Sequence, residues 1–425
     1  MNVRSSIRRG AVALAASALL VGAMAGPAQA APTTIHSGRS GGWSGTWAAS
    51  PHEPTEVFGP SWSTAGFDDH SVRQVVRVSA GGPSVRIRLS NAYGTAPLEL
   101  TSATIAKSAS GAAIKPGTVR KLTFHGRHKA VIGKGGELAS DPAWLRVEAL
   151  DKLTVTLYFK RPTGPATHHA FSSTTSYRTT GDHTRDTAGS AFTETSPSWF
   201  YLVGIDVRGL LPRRQVVVAF GDSITDGAVS TPEANNRYPD ELAERLVAAG
   251  KPRGVLNAGI GGNRVLNDST CFGERATHRF FRDAIDEPNV GAVIVLEGIN
   301  DIHAPDAGGF PCFDPPVAVT ADQLIAGHRE LIRQAHKRGV KAIGATVMPY
   351  GGSAFFTERG EAVRDALNAW IRTSGAYDAV VDLDQATRDP ANPDQILPAY
   401  DGGDHLHPND AGMAAMAAAV DPTEL

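Results

Sequence analysis

A chain of 425 residues with a formal net charge of −2 and 41% hydrophobic residues has the composition of an ordinary globular protein, not of a disordered one. Its Lys and Arg residues form no clustered stripe, which argues against a nucleic-acid surface. Beyond the first thirty residues no stretch is apolar and long enough to cross a bilayer, so no integral membrane association is expected.

The N-terminus is a separate object. Arg4, Arg8 and Arg9 precede the apolar run Ala11 to Ala25, and Ala28-Gln29-Ala30 offers small residues for cleavage. Residues 1–30 therefore read as a secretory signal cleaved near Ala30, and the mature protein is expected outside the cell. Arg8-Arg9 leaves both general and twin-arginine export open. Residues 31–46, rich in Ser and Gly, read as a flexible leader.

From residue 47 to residue 207 the apolar pattern has period two. Strands are expected over Arg73–Val78, Val85–Leu89, Leu98–Lys107, Leu153–Phe159 and Ala170–Tyr177, between Gly, Pro, Asn and Ser turns. Val85, Ile87 and Leu89 alternate with Arg86 and Arg88, the pattern of a half-buried antiparallel strand. Residues 31–205 hold 18 Lys and Arg against 12 Asp and Glu, an excess that a solvated sheet face carrying Arg86 and Arg88 would explain. No segment here has a helical apolar period, so this region reads as an all-β sandwich or jelly-roll-like domain.

After Leu211-Pro212 strands and helices alternate. Strands are expected at Gln215–Phe220, Gly254–Ala258, Ala292–Leu296, Lys341–Val347 and Ala379–Leu383; helices at Tyr238–Ala249, Ala321–Arg338, Glu358–Thr373 and Asp410–Val420. Thr320 and Gln323 form a capping-box pair ahead of the stripe Leu324, Ile325, His328, Leu331 and Ile332, on which His328 reads as a packed histidine. This alternation implies an α/β fold, a doubly wound parallel sheet of flavodoxin-like type, over residues 213–425. The two cysteines, Cys271 and Cys312, both lie in this half. In an exported protein such a pair is bridged more often than free, and neither has the CxxC partner of a zinc site.

Four short blocks carry the chemistry. Gly221-Asp222-Ser223 ends the first strand of this half; Asn257-Ala258-Gly259-Ile260-Gly261-Gly262-Asn263 follows the second; Glu297-Gly298-Ile299-Asn300-Asp301 follows the third; and Asp404-x-x-His407 precedes the last helix. Acyl transfer needs a nucleophile, a base, a group that orients the base, and donors for the developing oxyanion. One candidate for each role stands at a strand end or loop that this fold turns toward one crevice.

In order and position these blocks resemble those of the SGNH (GDSL) hydrolases, over about residues 215–420. The resemblance implies that Ser223 is the nucleophile, with its N–H, the Gly262 N–H and the Asn300 amide as oxyanion donors. It makes His407 the general base and Asp404 its orienter, with no cofactor and no metal. A glycine at 262 lets the backbone approach a substrate closely. Position 225 is Thr, so the Gly-x-Ser-x-Gly elbow of the α/β-hydrolases is absent. The glycine-rich stretch Gly259 to Asn263 lacks the Lys-Ser/Thr of a Walker loop, and Arg264 stands where a dinucleotide fingerprint needs Gly or Ala. Asp404, His405 and His407 have no fourth ligand in view for a metal. Asp222, Asp226 and Asp301 read as buttresses of backbone turns.

The β region, with Ser-Asn-Ala-Tyr-Gly at 90–94 and Phe-Ser-Ser-Thr-Thr-Ser-Tyr at 171–177, is similar to secreted bacterial xylanase-associated acylhydrolases. That likeness implies short acyl esters of carbohydrates as substrates. Trp43, Trp47, Trp62 and Trp199 would either stack on sugar rings or pack internally. A carbohydrate- or cell-wall-binding protein with an accessory hydrolase, and a lipase-like acylhydrolase, are the alternatives. No apolar lid helix is evident for the latter, and the sequence specifies no oligomeric state. A Cys271–Cys312 bridge would tie together the two loops that bear the oxyanion donors.

Overall fold

The computed structural model describes residues 42–209, 212 and 214–425. The segment read as a secretory signal and most of that read as a leader lie outside the described residues. Val216–Gly221, apolar up to its last residue, is buried throughout. It sits between Gly254–Gly259 on one side and Val290–Leu296 on the other, with Lys341–Ala345 and Ala379–Val381 continuing the five-stranded sheet. All four pairings are parallel. Strand order thus reverses between Val216–Gly221 and Val290–Leu296, whose outgoing connections run to opposite sides, so a crevice opens at their carboxyl ends.

Helices cover both faces. Tyr238–Ala248 packs on Asp410–Ala419, and Ala321–Lys337 packs on Glu358–Thr373. Thr320 and Gln323 form the expected reciprocal cap, with Gln323 N–H donating to Thr320 Oγ1 at 3.3 Å and Thr320 N–H to Gln323 Oε1 at 2.9 Å. His328 is buried on this helix with Nδ1 2.6 Å from Tyr377 Oη. The last expected strand is shorter than its apolar run suggests. It stops at Val381 because Asp382 caps a short helix, Leu383–Thr387.

The N-terminal half is antiparallel. One sheet orders Trp43–Ala48, Leu202–Arg208, Val85–Ser90 and Glu137–Ala139; a larger one orders Glu194–Ser196, Ser176–Thr180, His70–Arg77, Lys152–Phe159, Ser102–Lys107 and Arg120–Lys121. One apolar cluster takes Val85, Ile87 and Ile205 from the first sheet and Val72, Ile105 and Val155 from the second. The strand expected over Arg73–Val78 starts earlier, at His70, and three further differences from expectation are larger in consequence. The first strand starts at Trp43, inside the segment read as flexible leader, because its ring is buried beneath Arg86 and Arg208. The run Leu98–Lys107 breaks at Thr101 into strands of two different sheets. Residues 170–175 are a loop between His168–His169 and Ser176–Thr180.

Arg86 and Arg88 correct a further expectation. Their face of the strand is not solvated: Arg88 is 7% exposed, and its guanidinium bonds Asp206 and, across the boundary between the two halves, Glu287. Trp43–Ala48 also lies against Gly254–Gly259, the edge strand of the parallel sheet. Ser79 Oγ accepts the Val255 N–H at 2.8 Å, so the β half satisfies a backbone donor on that edge.

Candidate active site

The strand that ends at Gly221 passes directly into a one-turn helix, Ser223–Asp226. Asp222 caps it, its Oδ1 accepting the Ile224 N–H at 3.0 Å. A Cβ at Gly221 would stand 2.2 Å from Thr225 Oγ1 and 2.5 Å from Leu296 O, so the tight turn needs glycine there. Ser223 is thereby fixed at the first helical position, where backbone N–H groups have no acceptor within the helix.

Opposite it stands the loop before the last helix. Ser223 Oγ lies 2.7 Å from His407 Nε2, and His407 Nδ1 lies 2.6 Å from Asp404 Oδ2. The other carboxylate oxygen of Asp404 accepts the backbone N–H groups of His407 at 2.8 Å and Leu406 at 3.0 Å. Burial raises the pKa of Asp404, but the imidazole and these N–H groups outweigh it and hold the carboxyl well below the usual range. His405 takes no part: its Nδ1 pairs with Asp401 Oδ2 at 2.6 Å.

The second and third blocks close on the same strand end. Gly221 O accepts the Ile260 N–H at 3.1 Å, and Asp226 Oδ2 accepts that of Gly261 at 3.2 Å. Gly262 has φ +76°, and a Cβ on it would enter the Phe272 ring at 2.3 Å. Asn300 Nδ2 donates to Asn263 O at 3.0 Å, which ties the third block to the residue after Gly262. Residues 219–415, which span all four blocks, match the model of the GDSL-like lipase/acylhydrolase family. They form a domain of that family.

No curated protein matches the chain. Among solved structures, similar folds include the acetyl xylan esterase AlAXEase (24% identity, 48% of this chain and 96% of that one, TM-score 0.36). A variant acetyl xylan esterase from Geobacillus stearothermophilus has 21% identity, 49% and 94% coverage and TM-score 0.38. A GDSL-like lipase from Bacteroides thetaiotaomicron has 21% identity, 48% and 85% coverage and TM-score 0.33.

Several residues of the GDSL domain that shape the site carry no motif in the sequence. Arg279 is fully buried and donates to Gly221 O at 2.7 Å, Ala258 O at 2.8 Å and Asn263 Oδ1 at 2.8 Å, binding two strand ends and the glycine loop with one guanidinium. Asp283 and Glu297 neutralise it at 3.3 and 3.2 Å. His303 is 2% exposed, and its Nε2 lies 2.8 Å from Asn300 Oδ1. Burial, and next the nearby His407, push its pKa down to about 4, so it is neutral at pH 7. Its Nε2–H donation fixes the Asn300 amide with the NH₂ as the donor end. Asp222 and Asp301 act on backbone turns as expected, Asp301 accepting the Val265 and Leu266 N–H groups at 2.7 and 3.1 Å. Burial pushes Asp222 up to about 7 and Asp301 to about 6.

Cys271 and Cys312 are bridged, with Cα atoms 5.2 Å apart. Around the bridge Phe272, Phe310 and Phe313 pack as a cluster that Phe58 of the β half joins, its ring against Gly261. Phe58 and Phe310 remain 39% and 45% exposed. The four tryptophans weighed for sugar stacking do not offer such a surface: Trp43, Trp47 and Trp199 are buried, and Trp62 stacks on Phe200 beneath Arg178, whereas Trp144, elsewhere in the β half, is 76% exposed. Among the described residues, no group of three or more His, Cys, Asp and Glu could hold a metal ion, and no helix is long and apolar enough to cross a membrane.

Proposed function

We propose that this GDSL acylhydrolase is an exported serine esterase that works through an acyl-enzyme on short acyl esters of carbohydrates. The hydrogen-bonded chain from Ser223 Oγ through His407 to Asp404 carries the reading. Ser223 Oγ attacks the ester carbonyl carbon while His407 Nε2 takes its proton, and Asp404 holds the ring and the charge it acquires. The carbonyl oxygen becomes an oxyanion facing the N–H groups of Ser223 and Gly262 and the Asn300 amide. Collapse expels the alcohol, which receives the proton from His407. Water then enters by the same route, and the acid leaves.

Export is supported by the N-terminal pattern and by the bridged cysteine pair. The carbohydrate ester rests on the likeness of the β half to secreted xylanase-associated enzymes. The exposed rings of Phe58 and Phe310 favour a second reading, a lipase-like preference for longer acyl chains. Ser223→Ala assayed on a nitrophenyl acetate tests the mechanism. A fall in kcat on the order of 10⁴-fold or more is expected, and near wild-type turnover would overturn it. An acyl-length series run beside acetylated xylan, scored by released acetate, separates the two substrates.

A further inference from the structure

His169 belongs to the β half, on the short strand His168–His169 paired with Trp199–Phe200, yet its ring enters the GDSL domain. It is 5% exposed. Its Nδ1 lies 3.0 Å from Ser50 O, and its Nε2 lies 3.0 Å from Asp226 Oδ1 and 3.1 Å from Phe171 O. Carbonyl oxygens only accept, so both ring nitrogens carry protons and the ring is an imidazolium facing a carboxylate. Burial opposes that charge, but Asp226 outweighs it and the pKa is raised. The Trp199 ring lies 5.5 Å away, and Arg237 is bound elsewhere, to Asp240 at 2.6 Å.

Asp226 is the last residue of the helix that Ser223 begins, and its second oxygen accepts the Gly261 N–H at 3.2 Å. One carboxylate therefore touches both the nucleophile's helix and the loop preceding Gly262. The same helix and strand end also approach closely at Gly259, where a Cβ would stand 2.3 Å from Asp226 N. A carboxylate this buried keeps its place only while its counter-charge is present. We infer that His169 and Asp226 are positioning residues, through which the β half sets the distance between Ser223 and the Gly262 oxyanion donor. On this view the β half is part of the catalytic apparatus rather than an appended module. The inference rests on the serine esterase reading above.

The test compares His169→Leu, His169→Gln and Asp226→Asn with Arg77→Ala, which removes another ion pair across the same boundary, Arg77–Glu244 at 2.6 Å. On nitrophenyl acetate, His169→Leu is expected to lower kcat on the order of 10²-fold with KM changed about threefold or less. His169→Gln keeps one donor to Asp226 and recovers part of the loss. Affinity for a trifluoromethyl ketone, whose adduct with Ser223 places an oxyanion at the donors, falls in step with kcat/KM. Arg77→Ala lowers the melting temperature but leaves kcat and ketone affinity unchanged. Should His169→Leu not fold, His169→Gln and Asp226→Asn carry the same comparison. Folded variants at His169 and Asp226 with wild-type kcat, or an equal kcat loss in Arg77→Ala, overturn the inference. Undiminished activity in Ser223→Ala would instead defeat the esterase reading itself.

Discussion

At the level of single residues, the site divides into groups whose chemistry is written in short motifs and groups that serve through packing. Ser223, His407 and Asp404, which the structure joins in one hydrogen-bonded chain, were legible because each sits at a strand end or loop in a fixed local context, as do Gly262 and Asn300. Arg279 and His303 were not, since a lone arginine and a lone histidine on short helices have no pattern until the fold surrounds them. His303 nevertheless holds the Oδ1 end of the Asn300 amide, whose Nδ2 end donates to Asn263 O. Removing the amide by Asn300→Ala is expected to lower kcat by about 10²–10³-fold, the usual cost of one oxyanion donor. His303→Phe, which leaves the amide held only by its bond to Asn263 O, should lower kcat by a smaller factor, roughly tenfold. Steady-state kinetics on one short ester compares them, and wild-type kcat in His303→Phe would remove the orienting role.

Among the elements, the parallel sheet and its long helices were legible because their apolar patterns are long and well capped. Strand ends were less so. Asp382 starts a helix where the apolar run still reads as strand, and Thr101 splits one apolar run between two sheets, since local periodicity does not say which neighbour a strand pairs with. The loops after the second and third strands are held twice, by the Cys271–Cys312 bridge and by Asn263, which accepts from Asn300 and donates to Phe272 O at 2.9 Å and Glu274 O at 2.8 Å. Replacing both cysteines by serine should therefore cost stability, up to about 4 kcal/mol in the chain-entropy model, while kcat on a small ester changes little. Denaturant unfolding paired with kinetics distinguishes this from a loop held by the bridge alone, in which case kcat would collapse as well.

For the whole molecule, the sequence divides cleanly where the structure does not. Texture changes after residue 211, but the charges of one half are answered in the other. Arg86 and Arg88 read as a solvated face because alternation shows that a face is polar, not what covers it. Arg88 instead meets Glu287 behind the parallel sheet, both side chains at most 8% exposed. Arg88→Met should destabilise the protein by about 3–5 kcal/mol by leaving a buried carboxylate unpaired, and Arg88→Met with Glu287→Leu should recover much of that. Urea unfolding of the single and double variants measures it, and additive losses would show that the pair is not coupled. His169 and Asp226 belong to the same scale, joining residues 57 positions apart across the boundary.

The meeting of Gly45 and Gly254 fixes how freely these halves could be exchanged. A methyl group on Gly254 would lie 2.1 Å from Gly45 O, and one on Gly45 would lie 2.9 Å from Leu256 Cδ1. A chimera that grafts this hydrolase onto another β partner must bring that partner's backbone to the same close crossing over Gly254, where a side chain has no room. The half that carries Ser223 is in this respect portable only to a partner whose first strand crosses the edge of its sheet in the same way.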